Sequence, residues 1–286
     1  MSCRLARGRE APRRPPAPLR APRTPRSGGP VALDRPLPTP ENRSVAKLSA
    51  IFLDIDDTLY STTAFSDLAR QRAVEAMVRQ GVRLPVESLR RELDEVISEF
   101  TSNYPNHFGK LLLRLPEHCC AGTNRALIIA AGVNAYHDTK NELAPFSDVL
   151  PFLSDIRERT DVLLGVITHG LEIKQAEKLL RLGVVPYLHP EGIFISDQVG
   201  ISKPNPKLYR RACARFELDP REVMYVGDSP SHDIDPTNAL GMISVRSRRG
   251  TRHADEESLT PARYEISSFD DLRPHLAADF GLPLAE

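Results

Sequence analysis

The stretch Ala50-Ile51-Phe52-Leu53-Asp54-Ile55-Asp56-Asp57-Thr58-Leu59-Tyr60 places the tightest limit on what this chain can fold into. Ala50 to Leu53 are apolar without alternation, the pattern of a strand buried on both faces, as in a parallel sheet. Three carboxylates and a hydroxyl then fall within five residues. A buried strand that ends in acid delivers it to the carboxyl edge of the sheet, where open α/β folds bind ligands. An Asp-rich turn that only caps a helix has the same local look, and the choice rests on the remaining chain.

After Tyr60 the rhythm becomes helical. Phe65, Leu68, Ala69, Ala73, Val74, Met77 and Val78 keep the spacing of one buried helix face, with Gly81 at the expected C-cap. Val86 to Phe100 forms a second amphipathic run, and further helices are predicted over roughly 107–114 and 123–135. From about 145 the rhythm is α/β: a helix over 145–159, a buried strand over 161–167 ending in Thr168-His169-Gly170, and a helix over 171–182. A short strand at 193–195 leads to Lys203-Pro204, followed by a helix over 206–216. A strand at 223–226 ends in Gly227-Asp228-Ser229; then come a helix over 233–241, a strand over 242–245 and a last helix from Phe269. Arg246 to Glu257 reads as a surface loop by its composition. Alternating strands and helices imply right-handed crossovers and a parallel sheet covered on both faces. The expected fold is thus a Rossmann-like α/β core formed by 47–61 and 145–280, with a small α-helical insert over 62–144.

Residues 1–46 differ from everything after them. Ten of the 25 prolines lie there among many arginines, and such a segment buries too little apolar surface to offset chain entropy. It is expected to be a disordered arm without a structured role. A basic tether, a transit peptide and residues ahead of a later start near Val31 or Val45 are the other readings. Lys plus Arg and Asp plus Glu are both 38, a balance that argues against nucleic acid as the main partner. No window is long and apolar enough to cross a bilayer, so no membrane partner is expected. Cys3, Cys119, Cys120 and Cys213 fit neither a disulfide framework nor a zinc site; reduced thiols in a cytoplasmic protein are the simplest reading. Nothing in the sequence sets the oligomeric state.

Three predicted strands end in polar groups: Asp54 and Asp56, Thr168, and Asp228 with Asp233 just beyond; Lys203 sits near a fourth. In a parallel sheet these ends open on one edge. Carboxylates so close repel, and one would be driven neutral unless a cation intervenes. Oxygen-only ligands point to Mg²⁺.

In order, Asp54-Ile55-Asp56-Asp57-Thr58, Thr168, Lys203-Pro204 and Gly227-Asp228 with Asp233 resemble the four-motif signature of the haloacid dehalogenase (HAD) superfamily. The helical insert after the first motif resembles the cap of its first subfamily, in the phosphatase branch. The resemblance covers about 48–275. It implies a phosphohydrolase acting on a small phosphorylated metabolite, a sugar or triose phosphate or a nucleotide, through an aspartyl-phosphate. Asp54 would be the nucleophile, Asp56 the acid and then the base, and Lys203 the counter-charge. Thr168, with His169 and Gly170, would bind the phosphoryl oxygens. Asp54, Asp228 and Asp56, the last through its backbone carbonyl, would hold Mg²⁺, with Asp233 bound through water or orienting Lys203.

Plainer roles compete for several residues. Asp57 reads as a structural carboxylate, Thr58 as a loop hydrogen bonder, Asp233 as an alternative N-cap and His169 as a loop histidine bonded to backbone. Two other functions also compete: 2-haloacid dehalogenation and a non-enzymatic HAD-like binding module. An alkoxide leaving group needs a proton and a halide does not, so the second carboxylate, Asp56, favours phosphate transfer. Intact Asp54, Asp56 and Lys203 disfavour a binding module. Tyr60, Phe65, Asn103, Tyr104, His107, Asn124 and Arg125 are candidates to face substrate from the insert.

Overall fold

The computed structural model describes residues 45–101, 104–250 and 252–284. The expected disordered arm lies outside the described residues except for its last two positions, and there Ala46 N–H donates to Asp279 O at 3.0 Å. The first strand, β1 (Ala50–Leu53), is buried at every position. Beside it run β2 (Leu163–Thr168), β3 (Ile193–Ile195), β4 (Val223–Gly227), β5 (Ile243–Ser247) and β6 (Tyr264–Ile266). All pairings are parallel, and the order is β3-β2-β1-β4-β5-β6. β1 is therefore flanked by the two strands whose ends carry Thr168 and Asp228.

The unbroken apolar run of β1 serves two cores because successive side chains point to opposite faces. Ile51 and Leu53 join the cluster built on α5 (Val149–Arg159), α6 (Glu172–Arg181) and α10 (Phe269–Phe280). Ala50 and Phe52 join the cluster on the other face, which includes α8 (Pro206–Arg215). Phe52 lies opposite Gly165, where a Cβ would sit 2.4 Å from its ring. The glycine makes room for that ring, which also meets Phe194 edge-on at 6.0 Å.

Between β1 and α5 stand α1 (Thr62–Arg79), α2 (Val86–Phe100), α3 (His107–Arg114) and α4 (Arg125–Asp138). They share an apolar cluster of their own, including Val74, Met77, Leu89, Leu93, Val96, Leu111 and Ile128. Ser61 starts α1 by accepting from Ala64 N–H at 3.1 Å, and Asn124 caps α4 in the same way. Leu68, expected on the inner face, is 40% exposed, and Phe65 packs toward the α/β core rather than into the insert. The first turn of α1 faces the sheet domain, where the insert's own periodicity no longer applies.

Several boundaries move. α5 starts at Val149 rather than near Pro145, and the residues before it are tied to the loop after β1, where Phe146 N–H donates to Leu59 O at 2.9 Å. A short helix, α7 (Ser196–Val199), follows β3. The helix expected over 233–241 is a π-helical turn, Pro230–Ile234, running into α9 (Asp235–Asn238). Arg246 is not in a surface loop. It is buried in β5, and its guanidinium donates to the carbonyls of His253 and Glu256 at 2.8 and 2.7 Å. Tyr264–Ile266, a strand not predicted, closes the sheet edge.

Truncating Phe52 would leave an unfilled space at the centre of the sheet. Phe52→Ala is expected to cost about 3–5 kcal/mol, read as a lowered urea midpoint at unchanged slope.

Candidate active site

The ends of β2, β1 and β4 lie side by side and gather the predicted groups. Asp54 continues the ladder, its N–H donating to Val226 O at 2.8 Å. Its carboxylate accepts from Lys203 Nζ at 2.9 Å. The same ammonium reaches Asp233 at 2.8 Å and donates to the Tyr225 hydroxyl, which donates onward to Ile167 O at 2.9 Å. Lys203 is only 2% exposed at its side chain. A buried ammonium is stable only when paired, and here two carboxylates supply the charge. Burial alone would lower its pKa; Asp233 and Asp54 outweigh that and raise it.

Asp233 is not a helix N-cap. Its second oxygen accepts from Ser229 N–H at 3.0 Å, which fastens it under the loop that carries Asp228. Gly227 makes this possible: a Cβ there would lie 2.4 Å from Asp233 Oδ2. Oxygens of Asp54, Asp228 and Asp233 all lie within 4.8 Å of one another, in buried surroundings. Burial first, then the neighbouring carboxylates, raises Asp54 to about 6 and Asp228 to about 8. Hard oxygen donors forced together and resisting ionisation are the donor set a divalent cation relieves. Mg²⁺ therefore fits the residues present.

Asp56 points elsewhere. Its carboxylate accepts from Lys178 Nζ at 2.6 and 2.8 Å, Tyr60 OH at 2.6 Å, Thr62 Oγ1 at 3.1 Å and Gln175 Nε2 at 3.2 Å. Burial pushes its pKa up, but the Lys178 charge and these hydrogen bonds prevail and lower it. The carboxylate thus lies outside the cluster of Asp54, Asp228 and Asp233, leaving its backbone carbonyl for any metal role.

Gln175 joins this group to the end of β2. Its Nε2 lies 2.7 Å from the Thr168 hydroxyl and 2.8 Å from His169 O. His169 bonds through Nδ1 to the Ser202 hydroxyl at 2.7 Å, a side-chain partner rather than the expected backbone one. Gly170, at φ +144°, donates its N–H to Ser196 Oγ at 2.9 Å. Asp57 is structural: it takes a left-handed φ of 54° and accepts from Thr62 N–H at 3.0 Å. Thr58 departs from expectation, because its buried hydroxyl has no partner among the described residues.

Lys178, Gln175 and Tyr225 were not singled out from sequence. Gln175 and Lys178 are three apart on α6, and so share a face, but polar residues at that spacing also describe an exposed helix side. Of the insert candidates, Tyr60, Phe65, Tyr104 and His107 line cavities beside α6. Asn124 is a cap, Arg125 bonds Leu112 O, and Asn103 lies outside the described residues.

Comparison with known proteins assigns the chain to a family. Residues 48–241 match the haloacid dehalogenase-like hydrolases. The chain belongs to this family. It is 39% identical over 242 residues to the glyceraldehyde 3-phosphate phosphatase of Methanopyrus kandleri, a match spanning 84% of this chain and 99% of that one. The corresponding protein of Methanocaldococcus jannaschii, which bears the same name, is 34% identical over 226 residues, covering 79% and 95%. A HAD phosphatase from Thermococcus onnurineus shares the fold at TM-score 0.57 and 23% identity, covering 81% of this chain and 99% of that one. The chain is a HAD-type phosphatase, a phosphomonoester hydrolase. None of its described helices is long and apolar enough to cross a membrane.

Asp54 and Asp228 hold protons in the folded protein at pH values where the unfolded chain, with Asp near 3.9, has released them. Without a cation, the folded state therefore loses stability as pH rises from about 4 to about 8. In excess EDTA the melting temperature is expected to fall across this window. Asp228→Asn should flatten the profile; a wild-type profile that rises instead would contradict the raised pKa values.

Proposed function

We propose that this phosphatase hydrolyses a small phosphomonoester, of the triose-phosphate size, through an aspartyl-phosphate on Asp54 with Mg²⁺ in the site. The observation that carries this reading is the pairing of Asp54, at the end of the central strand, with the buried Lys203 ammonium at 2.9 Å, next to Asp228. Lys203 keeps a carboxylate ionised where burial would neutralise it, and an ionised carboxylate is what nucleophilic attack needs.

Asp54 attacks phosphorus in line, forming the Asp54–phosphorus bond as the ester P–O bond breaks. The departing oxygen takes a proton from Asp56. Water then attacks the aspartyl-phosphate, Asp56 takes the water's proton, and the carboxylate of Asp54 is restored with release of phosphate. For the first transfer Asp56 must leave Lys178 and carry a proton; arriving phosphoryl oxygens compete with it for that ammonium. Thr168 and the backbone N–H groups after it would orient those oxygens, and Lys203 would balance their charge. Gly170 N–H must first release Ser196 Oγ, and His169 is better suited to shaping the loop through Ser202.

Asp54, Asp228 and the Asp56 backbone carbonyl would hold Mg²⁺, which supplies further charge stabilisation to the phosphoryl group. Asp233 serves this site chiefly by orienting Lys203. The insert over 62–144 acts as a cap that keeps bulk water from the first step. The names of the 39% and 34% identical relatives support a three-carbon substrate. The buried free thiols Cys119, Cys120 and Cys213 support a reducing, cytoplasmic setting. Dehalogenation is disfavoured because a departing halide has no use for Asp56 and its four donors.

Hydrolysis of p-nitrophenyl phosphate should require Mg²⁺. Asp54→Asn should abolish it, and Asp56→Asn should lower kcat by about 10²–10⁴-fold. Full turnover by Asp54→Asn, or in excess EDTA, would overturn the mechanism. Halide release from 2-chloropropionate by the wild type would favour the dehalogenase instead.

A further inference from the structure

The catalytic groups account for a phosphoryl group but not for two cavities between the helical insert and α6. The smaller, about 180 Å³, is bordered by Tyr60 and Lys178, both bonded to Asp56. The larger, about 340 Å³, adjoins it, since Tyr136, His137 and Lys174 line both. The smaller cavity thus borders two of the donors to Asp56, and the larger shares three of its walls.

The larger cavity is lined by basic and not acidic side chains. The charged groups Arg70 and Lys174 line it beside the imidazoles of His107 and His137, and no carboxylate does among the described residues. This stands out in a chain whose Lys plus Arg and Asp plus Glu are equal at 38. The cations differ in how they are engaged. In the smaller cavity Lys140 and Arg181 are both tied to Glu177, at 2.8 and 2.9 Å. Arg70 has Asp94 at 3.8 Å. Lys174 has neither an ion pair nor a hydrogen bond among the described residues. It stands one turn from Lys178 on the same face of α6, a spacing of about 5–6 Å between Cβ atoms. Tyr104 and Tyr136 add hydroxyl-bearing walls.

We propose that this cavity receives a second anionic group of the substrate, with Lys174 as its principal partner. The proposal rests on the phosphatase reading above and narrows it. The substrate is a phosphomonoester bearing a carboxylate or a second phosphate a few atoms from the ester, rather than a neutral aldehyde or alcohol. With the phosphate at Asp54, Lys178, bonded to Asp56, borders the phosphoryl end of the ligand, and Lys174, which lines both cavities, its distal end. The unpaired Lys174 ammonium raises the local concentration of such dianionic ligands.

Three-carbon esters that differ only at the distal carbon test this. Glycerol 3-phosphate, 3-phosphoglycerate and glycerol 1,3-bisphosphate would be compared by kcat/KM with the full-length protein and Mg²⁺. At least one doubly anionic ester should exceed glycerol 3-phosphate by about tenfold, the scale of one charge-assisted contact. The better of the two identifies carboxylate or phosphate as the distal group. Lys174→Met should bring the ratio close to one, mainly through KM, and Lys174→Arg should retain most of it. A wild-type ratio near one, or an equal loss on all esters in Lys174→Met, would overturn the proposal.

Calorimetric titration of the Asp54→Asn protein with the same ligands separates the two readings. Preference for the dianionic ligands in binding, with no ester turned over by the wild type, would sink the phosphatase mechanism and sustain the cavity's role. Turnover without preference in binding or rate would do the reverse.

Discussion

The burial of the Lys203 ammonium between Asp54 and Asp233 is the constraint on which the rest of the site depends. Stripping water from such an ion costs several kcal/mol even after relaxation, so its partners must be held in place. Asp233 is held by Ser229 N–H and by the space that Gly227 leaves for it. Asp54 is held by the ladder bond to Val226 O. Tyr225, rising from β4, closes the remaining side with a hydroxyl anchored on Ile167 O. Three strands thus contribute to satisfying one ammonium, and their register is what holds Asp54, the proposed nucleophile, against it.

A second network, around Asp56, borders the first. It draws on the loop after β1 through Tyr60 and Thr62 and on α6 through Gln175 and Lys178. Gln175 also touches Thr168 and His169 O, so the group proposed as acid and the group proposed as phosphate ligand share one amide. Lys178 is the only formal charge in this network apart from Asp56 and makes its two shortest ammonium bonds. In the proposed mechanism a phosphoryl group that enters competes for these contacts, which would tie substrate arrival to the freeing of Asp56.

Much of this was legible in the sequence, for identifiable reasons. β1 reads as a strand because a run buried on both faces has no polar interruption, and its acids read as functional because parallel strand ends converge on one edge. The same logic found Thr168, Lys203, Asp228 and Asp233. It misjudged Arg246, since an arginine inside a loop-like composition gives no sign that its guanidinium will find the carbonyls of His253 and Glu256. It assigned Thr58 a hydrogen bond for which its buried hydroxyl has no partner among the described residues. It passed over Lys178 and Gln175, because a polar helix face facing a cavity and one facing water have the same periodicity.

The sequence by itself determined the parallel α/β class, the helical insert after the first motif, and which acids and which lysine form the set that meets at the sheet edge. These follow from local hydrophobic patterning and from the order of groups along the chain. Only the tertiary structure decided how the four aspartates of that set divide their work. Asp54 and Asp233 share the buried lysine, Asp228 stands beside them, and Asp56 turns toward Lys178 on α6. Sequence separation carries no information about which distant cation will neutralise which carboxylate; packing of the sheet against α6 and the loop after β1 sets those distances. The stretch from Ala50 to Tyr60 therefore supplies the acids, and the helices folded over it set which partners each one meets.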